Sequence, residues 1–565
     1  MEHILNLFEE SDGDEYCFHE RIPRASDARR IGSIYAGYDA CVIGAGLAGL
    51  STALKLARSG KRVLVLEKNR QVGGYAVNFI RGPYRLEGSL QMMDGARKGE
   101  SFGRILEELG IENRLECVEI EKFLTKIDRQ NECKCHMSLN EAEFLEEITS
   151  LYPAEEGNIK KFFKMITGMA SFLKDWNDST TLGKVKLALK NFGKIPRLVK
   201  YFNKSARDVL DAYFMDEGLK EDIFKFACFF GAKMHELSAI VFFAATFVKF
   251  ITGAQYILGG SGELTRLLAI EIALHGGVIL LNHQVVHAKL NGDVVHSIIA
   301  LDKEAGVHVR IKARAFCWCC DPRILLDQVL DQGDVKKFCS LSNHLERQPV
   351  ADSIFSVYLG LDVDMKDLGY TEYAYCIKLK DGTEFLMYIY SNVDPTCCPA
   401  GHSNIMLLRF MPFDAFHHSV VLDEHKRGHA YRQLKKAAVD RVIHDFEEGI
   451  GKKGILKHLR MKAAATPITY WRYTGSHDGS FVGFKATFNQ SIRHPTPQKT
   501  SMVNLVLAGQ WVGIGGGYAL SMRSGILAAG KMMDQLSKMN KEKDSSKAPI
   551  HLNSLDVNYE KLYIQ

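Results

Sequence analysis

The stretch YDACVIGAGLAGLSTALKLARSGKRVLVLEK, Tyr38 to Lys68, leaves a chain few ways to fold. Its apolar run Ala40 to Ile43 predicts a strand. Gly44, Gly46 and Gly49 then alternate with Ala45, Leu47 and Ala48, and Leu47 to Arg58 predicts a helix. Gly44 permits the tight turn, Gly46 lets a pyrophosphate approach the backbone, and Gly49 lets the helix lie close on the strand, so that its first N–H groups face phosphates. A second strand, Val63 to Leu66, ends on Glu67 and Lys68. A carboxylate there accepts hydrogen bonds from ribose hydroxyls and repels a 2′-phosphate. The expected class is α/β with a dinucleotide site.

The next residues narrow the dinucleotide. Gln71-Val72-Gly73-Gly74 stands just behind the acid, and Tyr84 to Gly88 adds a further short strand and glycine turn. A second glycine pair at that position resembles the FAD-binding flavoprotein oxidases and desaturases, whose second turn runs past the cofactor. Three blocks extend the likeness from about residue 36 to 540: the run through VLEKNRQVGGYAVNFIRGPYRLEGSLQMMDG; YILGGSGELTRLLAIEIALHGGVILLNHQVV, Tyr256 to Val286; and ATPITYWRYTGSHDGSFVGF with NLVLAGQWVGIGGGYALSMRSGILAAGKMM. Together they resemble the phytoene desaturase, carotenoid isomerase and retinol saturase group. Thr466-Pro467 and Arg472 to Gly475 lean toward the isomerase and saturase branch. Leu86 and Glu87 depart from an expected Phe and Asp, and Asn78 from a commoner Ser or Thr.

The resemblance implies a Rossmann-like FAD-binding domain interleaved with an α+β substrate domain, and FAD as cofactor. It also implies a backbone contact to the adenosine half near Val285 or Val286. The implied reaction is isomerisation, saturation or desaturation of a long apolar polyene. Two alternatives share the architecture: a non-catalytic prenyl or lipid binder resembling the Rab escort and dissociation-inhibitor proteins, and a flavin amine oxidase.

Along the chain, residues 1–35 predict a polar extension and residues 541–565 a polar tail. Segments 36–115, 251–325 and 461–540 carry the cofactor signals, while 116–250, expected to be mostly helical, and 326–460 form the substrate domain. Gly259-Gly260-Ser261-Gly262 opens a helix that Gly276-Gly277 ends, and a strand follows over Val278 to Val286. In the last block the strand Leu505 to Leu507 turns at Gly509. Gln510 occupies the place of an acid that binds the ribityl chain in many flavoproteins, and Gly515-Gly516-Gly517 opens a final helix. The positive end of that helix would favour the charge gathering on a reduced flavin.

With 565 residues and 46% hydrophobic content the chain buries a large core, and a net charge of +5 gives no reason to expect a nucleic-acid partner. No secretory leader and no run of eighteen apolar residues is seen, so a cytoplasmic or peripheral protein is expected. Thirteen scattered cysteines suggest reduced thiols. Cys317, Cys319 and Cys320, like Cys133 with Cys135 and Cys397 with Cys398, are expected in buried strands rather than at metal. Between Asn158 and Arg207 twelve basic residues face two acidic ones, with Phe162, Phe163, Met165, Ile166 and Met169 interleaved. That pattern suits basic amphipathic helices lying on an anionic membrane, or equally a solvated helical face. Leu237 to Tyr256, broken by Lys249, is expected to line a hydrophobic tunnel. No catalytic dyad is visible, as expected when a cofactor carries the hard step, and the electron partner stays open. Tyr470 to Tyr473 either line the site or fill the core.

Overall fold

A computed structural model describes residues 31–178, 200–422, 427–513 and 515–545. Strand Ile31–Ile43, helix α1 (Leu47–Arg58) and strand Val63–Leu66 form the βαβ unit, with the two strands parallel from Ala40 and Val63 onward. Ile31 to Tyr35, expected in the extension, already pair with His308 to Ile311. The sheet has seven strands in the order Val278–Leu280, Val63–Leu66, Ile31–Ile43, Val307–Trp318, Val294–Asp302 and His283–Asn291, with Leu505–Leu507 also paired to Val307–Trp318. Three stretches far apart in sequence thus build one sheet. Helix α2 (Ser261–Leu274), the short α3 (Pro467–Thr474) and the final α4 (Tyr518–Ser545) complete its surroundings, α4 reaching past residue 540 into the expected tail.

A second seven-stranded sheet runs Leu459–Ala465, Ser353–Leu361, Ser403–Met411, Glu384–Ile389, Ala374–Lys378, Lys122–Asp128 and Cys133–Ser138. Its last two strands fall in the segment expected to be helical. They form a hairpin whose first strand adds in parallel to Ala374–Lys378, a long-range pairing that no local pattern announces. Period-two alternation gives the sheet two faces. Phe355, Val357, Leu359 and Leu361 pack with the helices Asp414–Leu422 and His429–Ile450, while Ile354 and Tyr358 turn into the large core shared with α1 and α4.

In the helix Glu156–Asp178 the described residues follow the second of the two readings, a solvated face on a helix packed against protein. Phe162, Phe163 and Ile166 are buried, their rings packed with Phe144, Phe214, Phe242 and Phe250, so the apolar side is already covered by protein. The lysines Lys160, Lys161 and Lys164 face solvent. Lys184, Lys186, Lys190, Lys194 and Arg197 lie outside the described residues. Leu237 to Tyr256 becomes helix Ala239–Thr252 and strand Ala254–Ile257. Its interrupting Lys249 is buried, with Nζ 3.0 and 3.1 Å from the Asp94 carboxylate and 4.8 Å from the centre of the Phe123 ring. Among the described residues no helix is long and apolar enough to cross a membrane.

Cys317 is buried at the end of strand Val307–Trp318 and Cys135 is buried on strand Cys133–Ser138, as expected. Cys133 on that strand is instead half-buried, and Cys319, its sulfur 3.4 Å from that of Cys317, lies with Cys320 half-buried beyond the strand end, where the chain turns toward Pro322. Cys397 closes a 3-10 turn, Pro395–Cys397, instead of a strand, because Pro395 starts a tight turn capped by the Asp394 side chain. Among the described residues no group of three or more His, Cys, Asp or Glu side chains is placed to hold a metal.

Candidate functional site

The site begins where Ile31–Ile43 runs out. Gly44 takes φ +97°, and a Cβ there would stand 2.7 Å from the Cys320 sulfur. A Cβ on Gly49 would meet the Gly44 carbonyl oxygen at 1.9 Å, so α1 rests directly on the turn. Gly46 is different. It caps α1 in an extended conformation without a side-chain hydrogen bond, the first turn carries no acid, and a Cβ would find only the Gly73 carbonyl oxygen, 3.9 Å away. Gly73 lies alongside, its N–H donating to the Ala45 carbonyl at 2.8 Å, and Gly73 and Gly74 have φ +124° and +66°. Gly46, Gly73 and Gly74 therefore make a wall without side chains beside an uncapped helix start, beginning at Leu47. This cradle fits the pyrophosphate of a dinucleotide.

Glu67 closes one end of it. The carboxylate is buried and accepts the Ala45 N–H at 2.8 Å and the Asn69 N–H at 2.9 Å, one on each oxygen. Burial pushes its pKa up, opposed by those two N–H groups and by Lys68. Each oxygen keeps a lone pair for a further donor, as ribose hydroxyls require. Lys68 turns away. Its Nζ donates to the Arg472 carbonyl at 3.0 Å, and Asn69 Nδ2 donates to the Tyr473 carbonyl at 2.9 Å, so the pair caps the C-terminal end of α3. Burial lowers the Lys68 pKa. The His283 N–H donates to the Glu67 carbonyl at 2.7 Å, which brings Val285 and Val286 near. Val285 pairs with Ala300 and His287 with Ile299, so Val286 is the bulged residue left out of the ladder.

The last block arrives from the opposite side. Gly509 takes φ +111°, and a Cβ there would lie 3.9 Å from the Ala48 Cβ. Gly515 and Gly517 have φ +124° and +106° with nothing within 4 Å of a Cβ, whereas a Cβ on Gly516 would strike the Val482 carbonyl oxygen at 2.6 Å. The expected positive helix end is thus α4, starting at Tyr518, whose hydroxyl shares a 2.9 Å hydrogen bond with Ser89 Oγ. The Gln510 amide donates to Ser476 Oγ at 3.0 Å and so braces the loop between α3 and Phe481.

One glycine turn does not serve the cradle. The N–H groups opening α2 are taken by protein: Ser261 N–H and Oγ bond to Glu87 at 2.8 and 2.6 Å, and Gly262 N–H bonds to Asn78 Oδ1 at 2.5 Å. Glu87, noticed in the sequence only as a departure, accepts five hydrogen bonds in all, from Ser89, Leu90, Ser261 twice and Asn78. It is a buried carboxylate whose pKa burial pushes up and whose donors pull it back. It locks the hairpin Asn78–Glu87 to α2. Gly525 was also missed. A Cβ on it would lie 2.1 Å from the Ala48 carbonyl oxygen, and Thr52 Oγ1 donates to the Gly525 carbonyl at 3.0 Å, so α4 crosses α1 backbone to backbone. Small residues four apart, Ala48 with Thr52 and Gly525 with Ala529, were the available signal.

Of the aromatics in α3, Tyr470 is buried, stacked on Tyr75 with centroids 5.9 Å apart, and bonded to Ser356 Oγ at 2.9 Å. Trp471 packs near Phe413, and Tyr473 is exposed. Around the inner face of the second sheet, Tyr256, Tyr373, Tyr388 and Tyr390 form a buried aromatic group.

Known proteins share the sequence pattern and the fold. The family model for flavin containing amine oxidoreductases matches residues 47–336. The chain is 22% identical over 519 residues to an all-trans-retinol 13,14-reductase of Danio rerio, covering 84% of this chain and 82% of that protein. It is 23% identical over 463 residues to the chloroplastic prolycopene isomerase 1 of an Oncidium hybrid cultivar, covering 79% and 75%. Its fold is shared with the solved cyclohexylamine oxidase of Brevibacterium oxydans, at a TM-score of 0.54 and 14% identity over 89% of this chain and 100% of that one. With just over half its length matched by the family model, the chain belongs to the flavin-containing amine oxidoreductases, and its cofactor is FAD.

Proposed function

We propose that this flavoenzyme acts on the conjugated double bonds of a long apolar polyene of the carotenoid or retinoid class, by isomerisation, saturation or desaturation. The observation that carries the reading is similarity along most of the chain to a retinol reductase and a prolycopene isomerase. The buried aromatic inner face of the second sheet, rich in tyrosine rings, suits an apolar substrate.

In this reading the uncapped start of α1, with Gly44, Ala45, Gly46, Leu47, Ala48 and Gly49, receives the pyrophosphate, and Gly73 and Gly74 leave it room. Glu67, aimed by two backbone N–H groups, binds the ribose, and the bulged backbone at Val286, with Val285, meets the adenine. Lys68 and Gln510 act as braces through Arg472 and Ser476, holding α3 and its loop against the cofactor. Gly509 and Gly515 to Gly517 keep side chains away where the start of α4 presents its positive end. When bound, FAD supplies the two-electron redox chemistry; the chain orients it and excludes water.

Membrane contact is the second part of the proposal. With Phe162 and Phe163 buried, the exposed Lys160, Lys161 and Lys164 act by charge alone, drawing the protein to anionic lipid where such substrates dissolve.

The test offers a poly-cis carotenoid, a retinoid and a primary amine in parallel to the purified flavoprotein under anaerobic conditions, once with the flavin reduced beforehand and once with it oxidised. Unchanged product mass with altered double-bond geometry identifies an isomerase, a gain of two hydrogens a saturase, and a loss of two with oxidised flavin a desaturase. Inertness toward every polyene, together with flavin reduction by the amine, would replace this reading with amine oxidation.

A further inference from the structure

Three phenylalanines from three separate segments meet at the surface beside the candidate site. Phe410, one residue from the end of strand Ser403–Met411, is 41% exposed, although its neighbours inward on the same face, Leu408 and Met406, are buried. Its ring centre lies 5.9 Å from that of Phe229 and 5.5 Å from that of Phe481, both half-buried.

Each partner is anchored to the flavin side. Phe229 sits in the short helix Lys225–Phe230, which ends at Gly231 with φ +69°. A Cβ on Gly231 would press on Ala351 at 2.5 Å and on Val482 Cγ2 at 2.6 Å. Phe481 is held by Ser480, whose carbonyl accepts the Tyr75 hydroxyl at 2.7 Å, and its neighbour Val482 touches the backbone at Gly516. Gly483 accepts the Ala351 N–H at 2.9 Å, which fixes the loop to the second sheet. The backbone around Phe229 and Phe481 is therefore wedged in place, and the exposed ring of Phe410 is the part free to turn. The open space beside Gly515 and Gly517 lies just beyond Val482.

We propose that Phe229, Phe410 and Phe481 form an aromatic portal through which an apolar conjugated chain reaches the open space beside Gly515 and Gly517. The proposal rests on the polyene reading above. The occupant follows from the lining: three rings and Val482 offer an apolar passage without a cation or carboxylate among its own side chains, so a charged or strongly hydrated substrate gains nothing there. Edge and tilted ring contacts open by rotation without breaking backbone hydrogen bonds, which suits a gate.

The experiment follows uptake of the uncharged methyl ester of a fluorescent conjugated tetraene fatty acid by the flavin-loaded protein in stopped flow, with equilibrium affinity measured separately. Phe410→Ala removes the turning ring and should speed association and release together by about tenfold, a step of about 1.4 kcal/mol and the scale of two ring contacts. Phe410→Trp should slow both, and in each case the equilibrium affinity should stay nearly unchanged. Phe229→Leu, which keeps the volume and loses the ring, should act in the same direction as the alanine variant. Flavin content and melting temperature serve as folding controls. If all three variants take up the probe at the parental rate, with parental affinity, the portal lies elsewhere and the inference is overturned while the polyene reading stands. If the parent binds no polyene at equilibrium, the reading itself fails and the portal with it.

Discussion

Replacing Gly525 by alanine tests the link between the last block of sequence and the first. The added Cβ would stand 2.1 Å from the Ala48 carbonyl oxygen and 3.0 Å from Thr52 Oγ1. To reach ordinary contact, α4 and α1 must separate by about 1 to 1.5 Å. Overpacking of this kind costs roughly 1 to 3 kcal/mol, and weakening the Thr52 hydrogen bond about 1 more. Better helix propensity returns about 0.5 to 1 kcal/mol. The balance is a loss of roughly 1 to 3 kcal/mol, which lowers the melting temperature by several degrees. Because Ala48 belongs to the first turn of α1, the displaced helix also spoils the cradle, and the variant should purify with less flavin by visible absorption. Gly530, on the same helix, is the control. A Cβ there meets nothing within 4 Å, so Gly530→Ala should be neutral or more stable by up to about 1 kcal/mol and keep its flavin. Equal melting and equal flavin content for the two variants would refute the argument that α4 positions α1 through backbone contact.

Gly46→Val should give a folded apoprotein, since a Cβ there meets no protein atom closer than 3.9 Å and the branched side chain fills the cradle; near-parental melting without flavin absorption is the expected result. Gly49→Ala should instead unfold or melt early, because its Cβ would lie 1.9 Å from the Gly44 carbonyl oxygen, as thermal denaturation will read directly. Glu67→Ala should weaken FAD binding by roughly 1.5 to 3 kcal/mol in titration of apoprotein, and should also cost stability by stranding the Ala45 and Asn69 N–H groups. Neutralising Lys160, Lys161 and Lys164 should reduce co-sedimentation with anionic vesicles by about 1 kcal/mol per charge. With the apolar face buried, salt should abolish the parental binding as well, and salt-resistant binding would contradict this.

The first cofactor segment was legible in the sequence because its requirements are local. A turn at φ +97° and a helix lying on a strand each demand glycine at a fixed place, so Gly44 and Gly49 announce their structural roles without help from distant residues, and Gly46 leaves open beside them the space that the proposed pyrophosphate needs. Glu67 is legible for the same reason: it stands at the end of the adjacent strand, 22 residues from the Ala45 N–H it accepts. What only the tertiary structure decided involves partners that local patterns do not choose. The glycine turn before Ser261 opens a helix just as the first one does, yet the Ser261 N–H belongs to Glu87, 174 residues away, and the Gly262 N–H to Asn78. The phenylalanines among the lysines look available to a membrane, yet Phe214, Phe242 and Phe250 cover them. Lys68 looks placed for the cofactor, yet it caps a helix 404 residues on. In each case the residue's chemistry was readable, but burial and hydrogen bonding are satisfied by whichever group the fold brings within reach, and that choice is made between segments rather than within them.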